Sequence, residues 1–138
     1  LTSFTTFDVH RCESLTLLLN ELDNLISLTT IDISNCLNLI SLPNELDNLK
    51  SLTTLNMKCY KILMLLLNEL GNLISFITFN IYRCSSLISL LNKFDNLTSL
   101  IILNMNGCLS LASLPNELDN LPSLTTLNMK WSKYLTLL

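Results

Sequence analysis

A period of 24 residues runs through the whole chain and constrains its fold more than any other feature. Copies that open on a leucine begin at Leu1, Leu25, Leu49, Leu73, Leu97 and Leu121, and the last copy stops after 18 residues, at Leu138. A fixed period of this order is the signature of stacked repeats, because one unit cannot bury its apolar face alone. The sequence therefore predicts one domain over residues 1–138, built from stacked coils.

Within each copy, numbered here from position 1 to position 24, apolar residues recur at fixed places. In the second copy the residues from Thr30 to Ser34 alternate between polar and apolar. Such alternation predicts a half-buried strand with Ile31 and Ile33 pointing inward. Further along the copy, Pro43 is expected to open a short helical turn, with Asn44 as its N-cap. Each copy thus reads as a strand, a turn and a short helical return.

The second copy carries the pattern Leu28-x-x-Ile31-x-Ile33-x-x-Cys36-x-x-Leu39-x-x-Leu42-Pro43-x-x-Leu46-x-x-Leu49. This pattern resembles the leucine-rich repeat, in the cysteine-containing variety found in plant intracellular nucleotide-binding immune receptors and related repeat proteins of other lineages. The resemblance covers essentially the whole chain. It implies an α/β solenoid shaped as a curved horseshoe, with six parallel strands on the concave face and loops or short helical turns on the convex face. It also implies protein recognition without catalysis, as in the sensing segment of an immune-type receptor.

Composition excludes several classes of protein. The chain is 49% hydrophobic and 14% charged, which suits a dense core and argues against disorder. A net charge of −3 argues against nucleic-acid binding, which usually needs a basic surface. The longest apolar run, Ile62 to Leu67, is far shorter than the ~18 residues that a membrane span needs. The sequence therefore predicts no nucleic-acid partner and no membrane insertion.

Four of the five cysteines share position 12, and the fifth, Cys59, stands at position 11. No Cys-x-x-Cys or Cys/His spacing occurs, so neither a metal nor another cofactor is expected. Reduced, buried thiols are the favoured interpretation and point to the cytoplasm, although a Cys12–Cys36 disulfide stays open. A secreted or cell-surface protein is the alternative, in which the sequon Asn96-Leu97-Thr98 would be a glycosylation acceptor. Cys59 is the thiol expected to be accessible to reagents.

Candidate partner-binding residues come from the places where the copies differ. Positions 5, 6, 8, 10 and 11 are expected on the concave face, and positions 10 and 11 vary strongly while the apolar positions hardly change. Arg, Tyr and Trp are the residue types that most often anchor interfaces. A merely solvated face is the alternative interpretation. The candidates are His10, Arg11, Asp32, Lys58, Tyr82, Arg83, Asn106, Lys130 and Trp131.

Charge is expected to separate the two sides of the solenoid. The concave face is expected to be locally positive, because it carries four cations, Arg11, Lys58, Arg83 and Lys130, against two acids, Asp8 and Asp32. The opposite side collects the acids Glu21, Asp23, Glu45, Asp47, Glu69, Asp95, Glu117 and Asp119. An acidic or mixed surface of a partner protein would gain from this polarity.

Two competing functions remain to be weighed. An apolar flank, or the exposed solenoid ends, could support self-association in a structural or adhesive array; a strictly monomeric chain would remove this hypothesis. The flank comprises Leu17, Leu19, Met64, Leu65, Leu67 and Leu91.

Catalysis is not expected, because His10 is the only histidine and no nucleophile, base and orienting group visibly converge. No recognisable cap closes either end, so the chain is expected to be a segment of a longer protein or a recently duplicated array with exposed ends.

Overall fold

The computed structural model describes residues 3–18, 22, 24–61, 68–90 and 94–133. Six three-residue strands pair in parallel with their sequence neighbours and form one sheet in the order β1 to β6. The register joins residues 24 apart, as in the pairing of Thr6 with Thr30. The strands are β1 (Thr6–Asp8), β2 (Thr30–Asp32), β3 (Thr54–Asn56), β4 (Thr78–Asn80), β5 (Ile102–Asn104) and β6 (Thr126–Asn128).

The polar and apolar alternation sets the two faces of this sheet. Ile31 and Ile33 are completely buried, while the Asp32 between them is partly exposed. The predicted strand and its inward residues are therefore confirmed. We call the opposite side, which carries the side chains of positions 6, 8 and 10, the sheet face.

One continuous core lies behind the sheet. Leucines from the strand entry and from the return segment of each coil fill it, and Phe76 packs against Phe79 with ring centroids 5.5 Å apart. Burial is complete in the middle of the stack and falls at its ends. Position 7 shows this clearly, since Leu55 in β3 is fully buried whereas Leu127 in β6 is 36% exposed. Each inner coil is thus covered by two neighbours.

The return segments contain short 3-10 helices at Asn44–Asn48, Asn68–Asn72 and Asn116–Asn120. Pro43 and Pro115 hold the N-cap positions with φ of −68° and −66°, and neither helix has a side-chain cap. The predicted helical turn after Pro43 is therefore confirmed, but the prediction of Asn44 as its N-cap is wrong. The reason is that the Pro43 carbonyl already accepts the N–H of Leu46 at 3.4 Å, which makes Asn44 the first helical residue. Within the described residues, no helix is long and apolar enough to cross a membrane.

Adjacent coils also touch on the flank behind the sheet, through bridges between Leu17 and Ser41 and between Ser89 and Ser113. Leu17 is 58% exposed there. The other members of the predicted apolar flank, Leu19, Met64, Leu65, Leu67 and Leu91, lie outside the described residues. Self-association through this flank stays a prediction.

The cysteines at position 12 form a ladder of bonds between coils. The Sγ–H groups of Cys36, Cys84 and Cys108 donate to position-9 carbonyls of the preceding coil at 3.1, 3.1 and 3.2 Å. These three side chains are fully buried, and all five cysteines are free thiols, so no Cys12–Cys36 bond forms. Tyr60 replaces the cysteine in the third coil, and its buried hydroxyl has no hydrogen-bond partner among the described residues. A small thiol suits this position because it satisfies a carbonyl without occupying much space.

Candidate recognition surface

Position 8 closes the end of each strand. The side-chain oxygens of Asp8, Asp32, Asn80 and Asn104 accept the backbone N–H of the residue two places later, at 3.1, 2.9, 3.2 and 3.2 Å. Such Asx turns let a polar side chain stand in for a missing backbone acceptor. Asp32 also accepts a hydrogen bond from Asn56 Nδ2 at 3.3 Å. Folding alone therefore accounts for this polar column, including the candidate contact residue Asp32.

Position 10 combines supporting and free side chains. Ser34 Oγ accepts the N–H of Lys58 at 3.3 Å, and Asn106 Oδ1 accepts the N–H of Lys130 at 2.7 Å. The candidate Asn106 thus supports the next coil. His10 and Lys130 are exposed, and Lys58 and Tyr82 are partly exposed. These four side chains form the variable part of the column.

Position 11, like position 10, lies beyond the carboxyl ends of the strands. Each strand ends at position 8, and position 11 has a left-handed backbone in every copy, with φ between 59° and 76°. The coils nevertheless stay in register here, because the N–H of Arg83 donates to the carbonyl of Asn106 at 2.8 Å, and the first, second, third and fifth copies repeat this bond. The six residues therefore line up along the carboxyl edge of the sheet, which we call the edge column: Arg11, Asn35, Cys59, Arg83, Gly107 and Trp131.

The edge column carries side chains where its backbone favours glycine. A left-handed conformation costs an L-residue about 1–2 kcal/mol, and only glycine adopts it freely. Only one of the six positions, Gly107, uses that freedom. Arg11, Arg83 and Trp131 are large and exposed, so burial does not explain their presence.

Replacing Arg11 by glycine should therefore raise the free energy of unfolding by about 0.5–1 kcal/mol, because it relieves the left-handed strain at φ 60°. Arg11→Ala keeps the strain and should give no such gain. Urea denaturation followed by circular dichroism measures both variants. Equal stability of the glycine and alanine variants would contradict the strain argument.

Among the described residues, the cations of the sheet face and of the edge column have no carboxylate partners. Among those residues, the one contact between a basic side chain and a carboxylate joins His10 Nδ1 to Asp8 Oδ1 at 2.6 Å, and the hydrogen bond from His10 holds the pKa of Asp8 below its usual value. Arg11, Lys58, Arg83 and Lys130 are thus available to another molecule. The side chains of His10 and Asp8 are both exposed to solvent. The hydrogen-bond partner of Cys12 Sγ is Ser14 Oγ, at 3.6 Å, and not His10. The described residues contain no cluster of side chains suited to a metal ion.

A groove of about 470 Å³ opens on the edge column. Tyr82, Arg83 and Ser85 line it from the fourth copy, and Cys59 and Lys61 from the third. Gly107, Leu109 and Trp131 complete it. Tyr82, Arg83 and Trp131 are predicted contact residues, whereas Lys61, Ser85, Gly107 and Leu109 were missed by sequence reasoning. The signal available in the sequence was Gly107, a glycine at a position where every other copy has a side chain.

The predicted contact residues therefore do not form a single cluster. His10 and Arg11 lie at one end of the stack, far along the sheet from the groove, which uses Tyr82, Arg83 and Trp131. Lys58, Asn106 and Lys130 lie at position 10 beside the edge column. Cys59 is partly exposed, as expected, but so is Cys12.

No family model and no curated protein sequence matches the chain. Among solved structures, a leucine-rich repeat protein of Leptospira interrogans is 26% identical with a TM-score of 0.65, covering 83% of this chain and 34% of that one. The leucine-rich repeat ectodomain of the receptor kinase SOBIR1 from Arabidopsis thaliana is 21% identical with a TM-score of 0.68, covering 92% and 69%. The plant peptide hormone receptor RGFR1, solved in complex with RGF2, is 24% identical with a TM-score of 0.65, covering 91% and 20%.

These similarities confirm the fold class. The chain is a leucine-rich repeat solenoid with six parallel strands. It spans about a third of the Leptospira protein and a fifth of RGFR1.

Proposed function

We propose that this chain is a non-catalytic protein-interaction module that binds a partner protein through the sheet face and the edge column. The edge column carries this proposal: three large, exposed side chains, Arg11, Arg83 and Trp131, stand where the backbone favours glycine. Strained positions that persist against the demands of folding tend to cluster at binding sites. These three side chains therefore serve a contact with another molecule.

The chemistry of the surface suits an acidic or mixed partner. Cations without carboxylate partners among the described residues point away from the core, at Arg11, Lys58, Arg83 and Lys130. Of the described acids, Asp47, Glu117 and Asp119 belong to the return segments on the other side of the coils, whereas Asp8 and Asp32 of the sheet face already contact His10 and Asn56. This polarity would steer a partner toward the sheet face and away from the opposite side.

The solved structures of similar fold include receptor ectodomains, and RGFR1 was solved with a bound partner, RGF2. They support a recognition role as an analogy of fold. The sensing segment of an immune-type receptor, working in the cytoplasm, is the finer form of our proposal. A position at the cell surface is its alternative.

Photo-crosslinking tests the proposal directly. A benzoylphenylalanine placed at Lys58, on the sheet face, should give a discrete protein adduct in extracts of the source cells, whereas the same group at Asp119, on the opposite side, should not. Once the crosslinked partner is purified, the double substitution Tyr82→Ala with Arg83→Ala should weaken its binding about tenfold or more, because both types act as interface anchors.

Circular dichroism of the double variant must first show an unchanged fold. Adducts that appear equally from both probe positions would contradict the assignment of the binding face. Affinity that survives the double substitution would contradict the assigned contacts.

A further inference from the structure

We infer that the groove at Gly107 binds an acidic segment of the partner protein, with an apolar side chain against Trp131 and a carboxylate on Arg83. This inference rests on the proposed function and names the kind of segment that the edge column receives. The space, the charge and the length of the groove each support it.

The space exists because of one glycine. Every other copy has a side chain at position 11, so Gly107 leaves a gap between Arg83 and Trp131. A Cβ atom added at Gly107 would lie 3.0 Å from Cγ of Arg83 and would crowd the gap. The volume of about 470 Å³ falls within the range of about 300–1,000 Å³ typical of ligand pockets. It can hold a bulky side chain together with the backbone on either side of it.

The charge of the groove selects an anion. Among the described residues, its charged lining side chains are Lys61 and Arg83, and no carboxylate of these residues lines it. The guanidinium of Arg83 lies over the Tyr82 ring, with Cζ 5.1 Å from the ring centroid, so a cation–π contact already orients it. A planar guanidinium held in this way can donate two parallel hydrogen bonds to one carboxylate.

The apolar walls and the length of the groove favour an extended peptide. Trp131 is 78% exposed and Leu109 is also exposed, so a partner side chain can cover both. The lining residues come from four successive coils, which at about 4.8 Å per coil span roughly 14 Å. About four residues of extended chain cover the same distance.

Trp131 is the only tryptophan of the chain, so its fluorescence reports directly on the groove. The probe is the peptide acetyl-Gly-Asp-Phe-Glu-Gly-amide. It should change the Trp131 emission in a saturable way, and added salt should weaken it. A peptide with both acids replaced by lysine, or with the phenylalanine replaced by alanine, should bind at least about fivefold more weakly.

Three variants of matched chemistry locate the site. Gly107→Asn should fill the gap and Arg83→Asn should remove the anion contact, so each should weaken the peptide at least about fivefold. The fold tolerates asparagine in this column, since Asn35 adopts φ 60° at the same position. Lys50→Asn removes an exposed cation outside both the groove and the edge column, so it is the control and should bind as the parent protein does.

Lack of a saturable response, or full affinity in the Gly107→Asn variant, would overturn the groove assignment. If crosslinks from the sheet face persisted in that case, the proposed function would stand and the groove alone would fail. Conversely, peptide binding with the expected variant pattern supports the groove even where the crosslinks fail, which would then count against the wider sheet face.

Discussion

Replacement of Leu55 by alanine should lower the free energy of unfolding by about 2–5 kcal/mol, the range typical of leucine deletions in a closed core. Leu55 lies in β3, is fully buried, and faces Ile31 on one side and Phe79 on the other in the strand register. A cavity there removes contacts with both neighbouring coils at once. Since a solenoid is held together by contacts between neighbours, the loss should also reduce the cooperativity of unfolding.

The chain offers a matched control for this substitution. β3 and β6 have the same sequence, Thr-Leu-Asn, and Leu127 occupies in β6 the position of Leu55. Leu127 is 36% exposed and has a paired strand on one side only, so Leu127→Ala should cost clearly less than Leu55→Ala. Urea unfolding curves of the two variants give both the midpoint and the slope. Equal losses would show that repeat position alone, and not coverage by two neighbours, decides the energy.

The sequence predicts the core well because the same rule acts in every copy. Ile31 and Ile33 point inward through simple alternation, and the repeat period fixes the strand register without any long-range information. Asn44 lies one residue after the observed cap, because the Pro43 carbonyl accepts the first helical N–H.

The candidate site is harder to predict, since it depends on backbone conformation. Position 11 holds arginine, asparagine, cysteine and tryptophan, and none of these signals a left-handed turn as glycine does. Gly107 carried that information, but its meaning depends on neighbours that the fold supplies. The gap exists only because Arg83 and Trp131 lie one coil away on either side. Variation among the copies is therefore enough to identify the edge column from the sequence. The groove can be identified only when the stacking of the coils is known.

Alkaline pH should destabilise the protein through its buried thiols. Burial raises the pKa of Cys84 to about 12 and that of Cys108 to about 11, from an ordinary value of 9.0. Below pH 9 both thiols are protonated in the folded and the unfolded chain, so they add no pH dependence. Above it the unfolded chain releases these protons while the folded chain retains them, and stability falls by about 1.4 kcal/mol per pH unit for each thiol. For Cys84 this loss continues up to about pH 12.

A single substitution isolates the contribution of one thiol. Between pH 8 and pH 11, Cys84→Ala should lose about 2–3 kcal/mol less than the parent protein, because it no longer has that proton to release. Leu87→Ala, which removes a fully buried side chain without a titratable group, should keep the parent slope despite its lower stability. Urea midpoints measured at several pH values under reducing conditions give the slopes. Identical slopes in all three proteins would mean that Cys84 ionises as readily in the folded chain as in the unfolded one. The cysteine ladder would then be open to water, contrary to its burial behind the sheet.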